Sequence, residues 1–270
     1  MLREPSKTKD NIINWIREYF ASSVPNAYAV IGISGGKDSS VAAALCAEAL
    51  GADRVVGVIM PDGEQSDIDD SRRLVEYLNV KHIEFNINKI TSAYLDSFEN
   101  NIEFKNVSDN KGLSRDAKIN MPPRIRMSVL YGVAQSLDKG GLVVNTCNYS
   151  EDYVGYSTKF GDTAGDFSPL SSFTVSEVLQ IGKELNLPDD LIYKTPSDGL
   201  SGTSDEEKLG FTYDELEKYM EQYNRFSHAF ELEGGLTFRS EINGVLKGLG
   251  FSENDFGKKM SELSGGQKTR

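Results

Sequence analysis

The sequence feature that most constrains the fold is an apolar segment that leads directly into glycines and then into a helix. Residues 27–33, Ala-Tyr-Ala-Val-Ile-Gly-Ile, have the composition of a short buried strand, and Ser34-Gly35-Gly36 follow without a spacer. The alanine-rich residues 38–50 are predicted to form a helix. A strand that enters a helix through glycines is typical of α/β proteins that bind anions at the edge of a parallel sheet.

The same alternation of strands and helices continues along the chain and predicts an α/β fold. Further strands are expected at residues 54–60, 81–87 and 141–146, and helices at residues 11–20, 66–79, 125–137 and 175–185. Right-handed crossovers would give a doubly wound parallel sheet with flanking helices, whose ligand site lies beyond the carboxyl ends of the strands. Trp15, in the first helix, is expected in the core. The Gly-, Ser- and Asp-rich residues 157–210 are expected to form loops over the site.

Residues 32–39, Gly-Ile-Ser-Gly-Gly-Lys-Asp-Ser, form the candidate phosphate loop. Glycines let the backbone approach phosphate oxygens, and the N–H groups at the start of the next helix point at them. Ser34 and Ser39 add hydroxyl donors, Lys37 adds a positive charge, and Asp38 calls for a cation such as Mg²⁺ between its carboxylate and a phosphate. The segment fits neither a Walker A loop nor a GxGxxG dinucleotide fingerprint. The alternative is a tight turn in which Asp38 only stabilises the first turn of the helix.

The composition excludes several classes of function. Lysine and arginine total 29 against 41 aspartates and glutamates, and the net charge of −12 disfavours nucleic acid as the main partner. The two cysteines occur without a CxxC or Cys/His pattern, so neither a disulfide framework nor a zinc site is expected, and a reducing cytoplasm is the predicted location. No apolar run is long enough for a membrane span.

The phosphate loop resembles the SGGxDS loop of the N-type ATP pyrophosphatases, which release pyrophosphate from ATP while adenylating a substrate. That loop does not distinguish among the members of the superfamily. Later strings are similar to those of the ammonia-dependent NAD synthetase family, in the family's order, over about residues 11–220. These strings are residues 65–67, 120–127, 145–151, 155–162, Asp166, Pro196-Ser197 and 205–210.

The resemblance implies an adenine-nucleotide α-hydrolase-like fold and assigns site residues. The implied ATP contacts are Gly32, Ile33, Ser34, Gly35, Gly36, Lys37, Asp38, Ser39, Gln65, Thr146 and Ser197. The implied Mg²⁺ ligands are Asp38 and Glu151. The implied contacts to the second substrate, deamido-NAD, are Arg124, Lys159, Asp162 and Asp166.

The resemblance also implies a reaction and an assembly. ATP would convert the nicotinate carboxylate of deamido-NAD to an acyl-adenylate, and ammonia would then displace AMP to give NAD. No glutaminase domain with a catalytic cysteine is evident, so free ammonia is the expected nitrogen donor. A homodimer is implied, with residues 110–137 contributing to the interface and to the dinucleotide site.

Two alternatives stay open from the sequence. One is another N-type ATP pyrophosphatase, of the GMP synthetase or tRNA-modifying type. The other is a catalytically weak nucleotide-binding fusion protein, because Val175 stands where many family members have lysine and the usual C-terminal His-Lys pair is missing.

The C-terminal residues, from about 219 to 270, resemble a fragment of an ABC-F type ATPase around its LSGGQ signature at residues 263–267. The predicted domains are therefore residues 1–222, like NAD synthetase, and residues 223–270, an ABC-F-like tail. The alternative for LSGGQ is a helix start that contains its own glycines. A complete ABC site is not expected, because the chain has no Walker A loop.

Overall fold

The central sheet of the computed structural model contains four parallel strands: β1 (Tyr28–Gly32), β2 (Val55–Ile59), β3 (Lys81–Glu84) and β4 (Gly141–Val143). Their order is β3-β2-β1-β4, and Ala29 pairs with Val55 on one side and with Leu142 on the other. The chain builds outward from β1 to β3 and then returns to place β4 on the opposite side of β1. This reversal between β1 and β4 is a topological switch point, where open α/β sheets bind ligands.

The structure describes residues 1–193 and 205–269. Thirteen α-helices lie within these residues: α1 (Pro5–Ser23), α2 (Lys37–Leu50), α3 (Ile68–Tyr77), α4 (Asn88–Glu99), α5 (Ile102–Val107), α6 (Arg115–Ser136), α7 (Tyr149–Val154), α8 (Val175–Glu184), α9 (Asp189–Ile192), α10 (Asp205–Leu209), α11 (Tyr213–Leu232), α12 (Phe238–Gly248) and α13 (Gly265–Lys268). None of the described helices is both long and apolar enough to cross a membrane.

Both faces of the sheet are covered, which confirms the predicted doubly wound α/β class. Ala29 and Ile31 of β1 point to one face, where they join a core built with α1, α2, α3, α8 and α9. Val30, between them, points to the other face and packs with side chains of α4 and α6. This alternation follows from the period of two along a strand, and it leaves β1 apolar on both sides.

Strand β3 ends the sheet on one side, and all of its residues are exposed. It is therefore an edge strand, unlike the buried strands β1 and β2.

Two expectations for the helices were inaccurate. Trp15 is 42% exposed and stacks on Tyr19, with ring centroids 5.7 Å apart, while Ile16 and Phe20 bury the apolar face of α1. Trp15 directly precedes Ile16, and successive residues of a helix point in different directions. Trp15 therefore lies at the margin of the apolar face. Helix α6 begins ten residues earlier than predicted, at Arg115 rather than at residue 125.

The longer α6 contains Pro122 and Pro123, and Ser114 caps its start by accepting a hydrogen bond from the backbone N–H of Ala117 at 3.1 Å. Each proline removes one helical N–H donor, so a local pattern would end the helix there.

The chain divides into two compact units, Met1–Asp214 and Glu215–Arg270. The first contains the sheet. In the second, no described residue from 221 to 269 is buried. The LSGGQ string begins α13: Ser264 caps this helix by accepting from the N–H of Gln267 at 3.3 Å, and the Gln267 side chain accepts from the N–H of Ser264 at 3.0 Å. The string is therefore a capping box that starts a helix with its own glycines.

Candidate nucleotide site

A cavity of about 820 Å³ opens at the carboxyl ends of the strands, within the first unit. Its walls come from the phosphate loop after β1, the segment after β2, the segment after β4, one face of α6 and the loop that follows α7. The predicted site residues in its lining are Gly32, Ile33, Ser34, Gly36, Lys37, Asp38, Ser39, Gln65, Thr146, Glu151 and Asp162. The switch point thus brings together groups that are far apart in the sequence.

The other predicted residues do not line the cavity. Gly35, Arg124, Lys159 and Asp166 lie outside the lining, and Ser197 lies outside the described residues. The structure gives a reason for the position of each of the first four.

Gly35 lies behind the phosphate loop, against α3. Its φ is +75°, and a Cβ there would be 2.9 Å from Cβ of Asp70 and 3.0 Å from the backbone nitrogen of Ser71. Only glycine fits such a conformation at such a distance without displacing the backbone of α3. Gly35 therefore sets the shape of the loop.

Hydroxyl groups hold the phosphate loop in place. Oγ of Ser34 lies 3.1 Å from Oγ of Ser39 and accepts from the N–H of Gly36 at 3.3 Å. Oγ of Ser40 donates to the carbonyl of Gly36 at 2.8 Å. Gly36 is the N-cap residue of α2 and has no side chain to cap the helix, so the positive end of the helix dipole faces the cavity. The loop is thus preformed for an anion.

Lys37 carries the charge expected beside a phosphate, and it also contacts both predicted metal ligands. Its Nζ lies 2.9 Å from Oδ2 of Asp38 and 4.0 Å from Oε1 of Glu151, and 5.6 Å from the centre of the Tyr213 ring. Burial of Glu151, and secondarily the negative charge of Asp38, raise the pKa of Glu151 to about 8. The carboxylate form of Glu151 is therefore disfavoured, because the positive charge of Lys37 balances it only in part.

The residues around Glu151 fit a small divalent cation. Asp38 and Glu151 supply hard carboxylate oxygens, which Mg²⁺ prefers, and Mg²⁺ is usually held by one or two carboxylates together with substrate phosphates. Among the described residues, no group of three or more His, Cys, Asp or Glu side chains could hold a metal ion. Phosphate oxygens of a bound nucleotide would add ligands to the two carboxylates.

Arg126 is a cavity residue to which the sequence analysis gave no role. Its Nε donates to the carbonyl of Met60 at 3.0 Å, and its side chain lines the cavity. Burial lowers the pKa of the guanidinium, while the charges of Asp62 and Asp162 oppose this effect. An arginine remains charged under such a shift, so Arg126 brings a positive charge to the cavity wall.

Arg124, which was assigned to the second substrate, is on another side of the same helix. Residues two apart on a helix point in different directions, so Arg124 and Arg126 do not share a face. Arg124 is exposed, and its Nε donates to the carbonyl of Lys159 at 3.1 Å. The structure thus brings the predicted residues Arg124 and Lys159 together, outside the cavity of the single chain.

Asp162 and Asp166, the two acids assigned to the second substrate, hold the loop after α7 in place. Asp162 lines the cavity and its Oδ1 accepts from the N–H of Thr158 at 2.9 Å. Asp166 accepts from the N–H of Val143 at 2.7 Å and from the hydroxyl of Tyr131 at 3.3 Å, so it anchors the loop to β4 and α6. Asn145 adds hydrogen bonds to the carbonyls of Asp162 and Ala164.

Val175, the position where the resembled family often has lysine, is buried at the start of α8. Its N–H donates to Oγ of Ser150 at 3.2 Å. Val175 does not line the cavity. Lys208, on α10, does line it and supplies a lysine to the cavity wall.

Comparisons with known protein sequences agree on one family. A sequence model described as NAD synthase matches residues 8–247. An NH3-dependent NAD(+) synthetase from Pyrococcus horikoshii is 37% identical over 78% of this chain and 77% of its own length. Another, from Methanocaldococcus jannaschii, is 36% identical over 81% and 83%. The family match extends past the predicted boundary at residue 222, and the ABC-F resemblance of the tail has no support among these matches.

Solved structures agree with the sequence matches. An NMN synthetase from Francisella tularensis superposes with a TM-score of 0.71 and 33% identity, covering 81% of this chain and 86% of that one. An NH3-dependent NAD synthetase from Campylobacter jejuni, in complex with nitrate, gives a TM-score of 0.65 and 26% identity over 97% and 100%.

Proposed function

The chain belongs to the NAD synthase family, and we propose that it uses ATP and ammonia to amidate deamido-NAD, giving NAD, AMP and pyrophosphate. The observation that carries the proposal is the cavity at the switch point, where the phosphate loop meets Thr146 and Glu151. A carboxylate resists attack by ammonia, so a nucleotide-cleaving site is the chemistry that such an amidation needs. The agreement of family and site disfavours a GMP synthetase-like or tRNA-modifying reaction.

In the first step, a carboxylate oxygen of the substrate attacks the α-phosphorus of ATP, and the bond to pyrophosphate breaks. The N–H groups of the phosphate loop and the ammonium of Lys37 stabilise the negative charge that moves onto the departing oxygens. The protein contributes by position and charge, and no side chain acts as a nucleophile. The preformed hydrogen bonds between Ser34, Ser39 and Gly36 reduce the reorganisation that this step requires.

In the second step, ammonia attacks the acyl carbon and AMP leaves. Water competes with ammonia for the same carbon, so the cavity has to exclude it. The loop after α7, anchored by Asn145 and Asp166, forms one wall suited to that task.

Mg²⁺ belongs to this proposal, with Asp38 and Glu151 as its protein ligands. When bound, the ion would neutralise charge on the phosphates and on the departing pyrophosphate. The raised pKa of Glu151 supports the assignment, because a cation beside its carboxylate would supply the missing counter-charge. Gln65, Thr146 and Ser197 are proposed as further contacts to ATP.

The second substrate is proposed to contact Arg124, Lys159, Asp162 and Asp166. Because three of these lie outside the cavity of one chain, we propose a homodimer in which residues 110–137 help to form both the interface and the dinucleotide site. Exposed apolar side chains near this segment support an interface: Ile119 is 48% exposed, Ile102 70% and Val107 86%.

A cytoplasmic location is part of the proposal. Its support is that Cys46 and Cys147 are both free and buried, which suits a reducing compartment.

A second candidate product is NMN. It is favoured by the likeness to the Francisella NMN synthetase, and it would require amidation of the corresponding mononucleotide carboxylate by the same chemistry.

One assay separates these functions. The purified protein is incubated with ATP, Mg²⁺ and ammonia, together with either deamido-NAD or nicotinate mononucleotide, and NAD, NMN and pyrophosphate are measured. We expect NAD and pyrophosphate in equal amounts, formed only when all four components are present. Faster turnover of the mononucleotide would favour NMN synthesis, and ATP binding without turnover of either substrate would identify a catalytically weak nucleotide-binding protein.

A further inference from the structure

One side chain, that of Asn148, connects Asp38 to the backbone of Glu151, the two residues proposed to hold Mg²⁺. Asn148 is fully buried at the N-cap of α7, where its Oδ1 accepts from the backbone N–H of Glu151 at 3.1 Å. Its Nδ2 donates to Oδ1 of Asp38, on α2, at 3.0 Å. One amide therefore links the start of α7 to the start of α2.

The orientation of the amide follows from the chemistry of its partners. A backbone N–H can only donate, so the oxygen of Asn148 has to face Glu151, and the NH₂ group then faces Asp38. The second oxygen of Asp38 contacts Nζ of Lys37 at 2.9 Å. Both oxygens of the Asp38 carboxylate are thus held, which fixes the plane of the group.

The residue type matters because helix capping alone does not require asparagine. Serine, threonine and aspartate cap a helix about as well. Of these N-cap residues, only asparagine also has an N–H donor that can reach a neighbouring carboxylate while its oxygen caps the helix. A buried asparagine here serves both tasks.

We propose that Asn148 is a positioning residue that holds Asp38 and Glu151 in register for a single divalent cation. This inference rests on the Mg²⁺ assignment within the proposed function. Groups that orient metal ligands without touching the metal commonly change metal affinity by about ten- to a hundredfold when they are removed.

The first test replaces Asn148 by serine, which retains a cap but lacks the amide NH₂ group that donates to Asp38. The readout is calorimetric binding of the α,β-methylene analogue of ATP, which cannot be cleaved at the reacting bond, over a range of Mg²⁺ concentrations. In the serine variant, we expect the Mg²⁺ concentration that gives half of the maximal increase in analogue affinity to rise about tenfold or more. The affinity for the analogue in the absence of Mg²⁺ should stay unchanged.

Asn101→Ser is the matched control. Asn101 caps α5 by accepting from the N–H of Phe104 at 2.8 Å, and it lies outside the cavity lining. We expect its Mg²⁺ dependence to equal that of the unmodified protein. If Asn148→Ser also leaves the Mg²⁺ dependence unchanged, the proposal is overturned.

A second variant, Asn148→Asp, keeps the shape and the cap but turns a carboxylate oxygen toward Asp38. Repulsion should lower the melting temperature of the metal-free protein, and added Mg²⁺ should raise that temperature by more than it does in the unmodified protein. This variant decides the question if the serine variant does not fold, and a Mg²⁺ effect equal to that of the unmodified protein counts against the proposal. If the unmodified protein binds ATP in a Mg²⁺-dependent way but does not catalyse amidation, only the proposed function is refuted.

Discussion

The Nζ atom of Lys37 lies 2.9 Å from Oδ2 of Asp38, the residue that follows it in the sequence. The lysine of the phosphate loop is therefore paired with an acid of the same helix turn. This pairing places opposite charges at the N-terminus of α2, where phosphate and a divalent cation are both proposed to bind.

Asp38→Asn should lower turnover at least roughly a hundredfold while changing the melting temperature little, because it removes a hard anionic oxygen from the proposed Mg²⁺ site. The measurement is the rate of NAD formation at limiting Mg²⁺, beside thermal unfolding. Asp69→Asn is the control, since Asp69 is also an acid in the first turn of a helix but lies outside the cavity lining. Equal rates for the two variants would reduce Asp38 to a helix-turn residue.

Two adjacent glycines should give different phenotypes. Gly35→Ala should destabilise the protein by about 1–3 kcal/mol, because it forces a Cβ into the left-handed region and against α3. Gly36→Ala has space at the Cβ position, 3.4 Å from Oγ of Ser34, and should change stability by no more than about 1 kcal/mol. It should instead weaken ATP binding, because Gly36 lines the cavity.

Urea unfolding and ATP calorimetry on both glycine variants would check this contrast. The reverse pattern, with a stable Gly35→Ala protein that has lost ATP, would mean that the loop rearranges when nucleotide binds.

Arg126→Gln and Arg124→Gln should differ in the ligand that they affect. Arg126 lines the cavity together with the phosphate loop, so its loss should weaken ATP binding about ten- to a hundredfold, the cost of one charge-assisted hydrogen bond. Arg124→Gln should weaken the binding of deamido-NAD and leave ATP binding unchanged, because the family resemblance assigns Arg124 to the second substrate. Titration of each variant with each ligand is the check, and a uniform loss across both ligands would contradict the division of roles.

Removal of residues 224–270 should leave ATP–Mg²⁺ binding nearly unchanged. No described residue from 221 to 269 is buried, and the nucleotide cavity lies in the first unit. A graft of the basic His-Lys ending of the NAD synthetase family onto the shortened chain should lower the Michaelis constant for deamido-NAD, because two cations would be added toward an anionic substrate. Unfolding of the shortened chain would show that the segment is needed for stability and that the predicted boundary at residue 222 is misplaced.

Local sequence patterns predicted the sheet and the phosphate loop because both depend on neighbouring residues. The apolar run before Ser34 and the glycines after it determine a strand, a turn and a helix within a short stretch. The register of Asp38 with Glu151 then follows from the topology of parallel strands, since both segments leave the same edge of the sheet.

The rest could not be predicted locally, because it depends on packing between distant segments. Pro122 and Pro123 each lack a helical N–H donor, yet α6 continues through them in its tertiary setting. The choice between Arg124 and Arg126 depends on which face of α6 meets the cavity, and two arginines separated by one residue carry no local signal for that choice. The hydrogen bond of Asn148 to Asp38 could not be predicted for the same reason, because the two residues are 110 positions apart in the sequence.

The exposed strand β3 has a consequence for colloidal behaviour. An open sheet edge offers unpaired backbone groups to other chains and is a common starting point for aggregation. Here the edge strand is short and carries Lys81 and Glu84, and Glu84 is engaged by two nitrogens of Arg72, at 2.9 and 3.0 Å. A second chain that paired there would have to displace this ion pair and desolvate both charges, so the edge discourages the strand addition that would turn the enzyme into an aggregate.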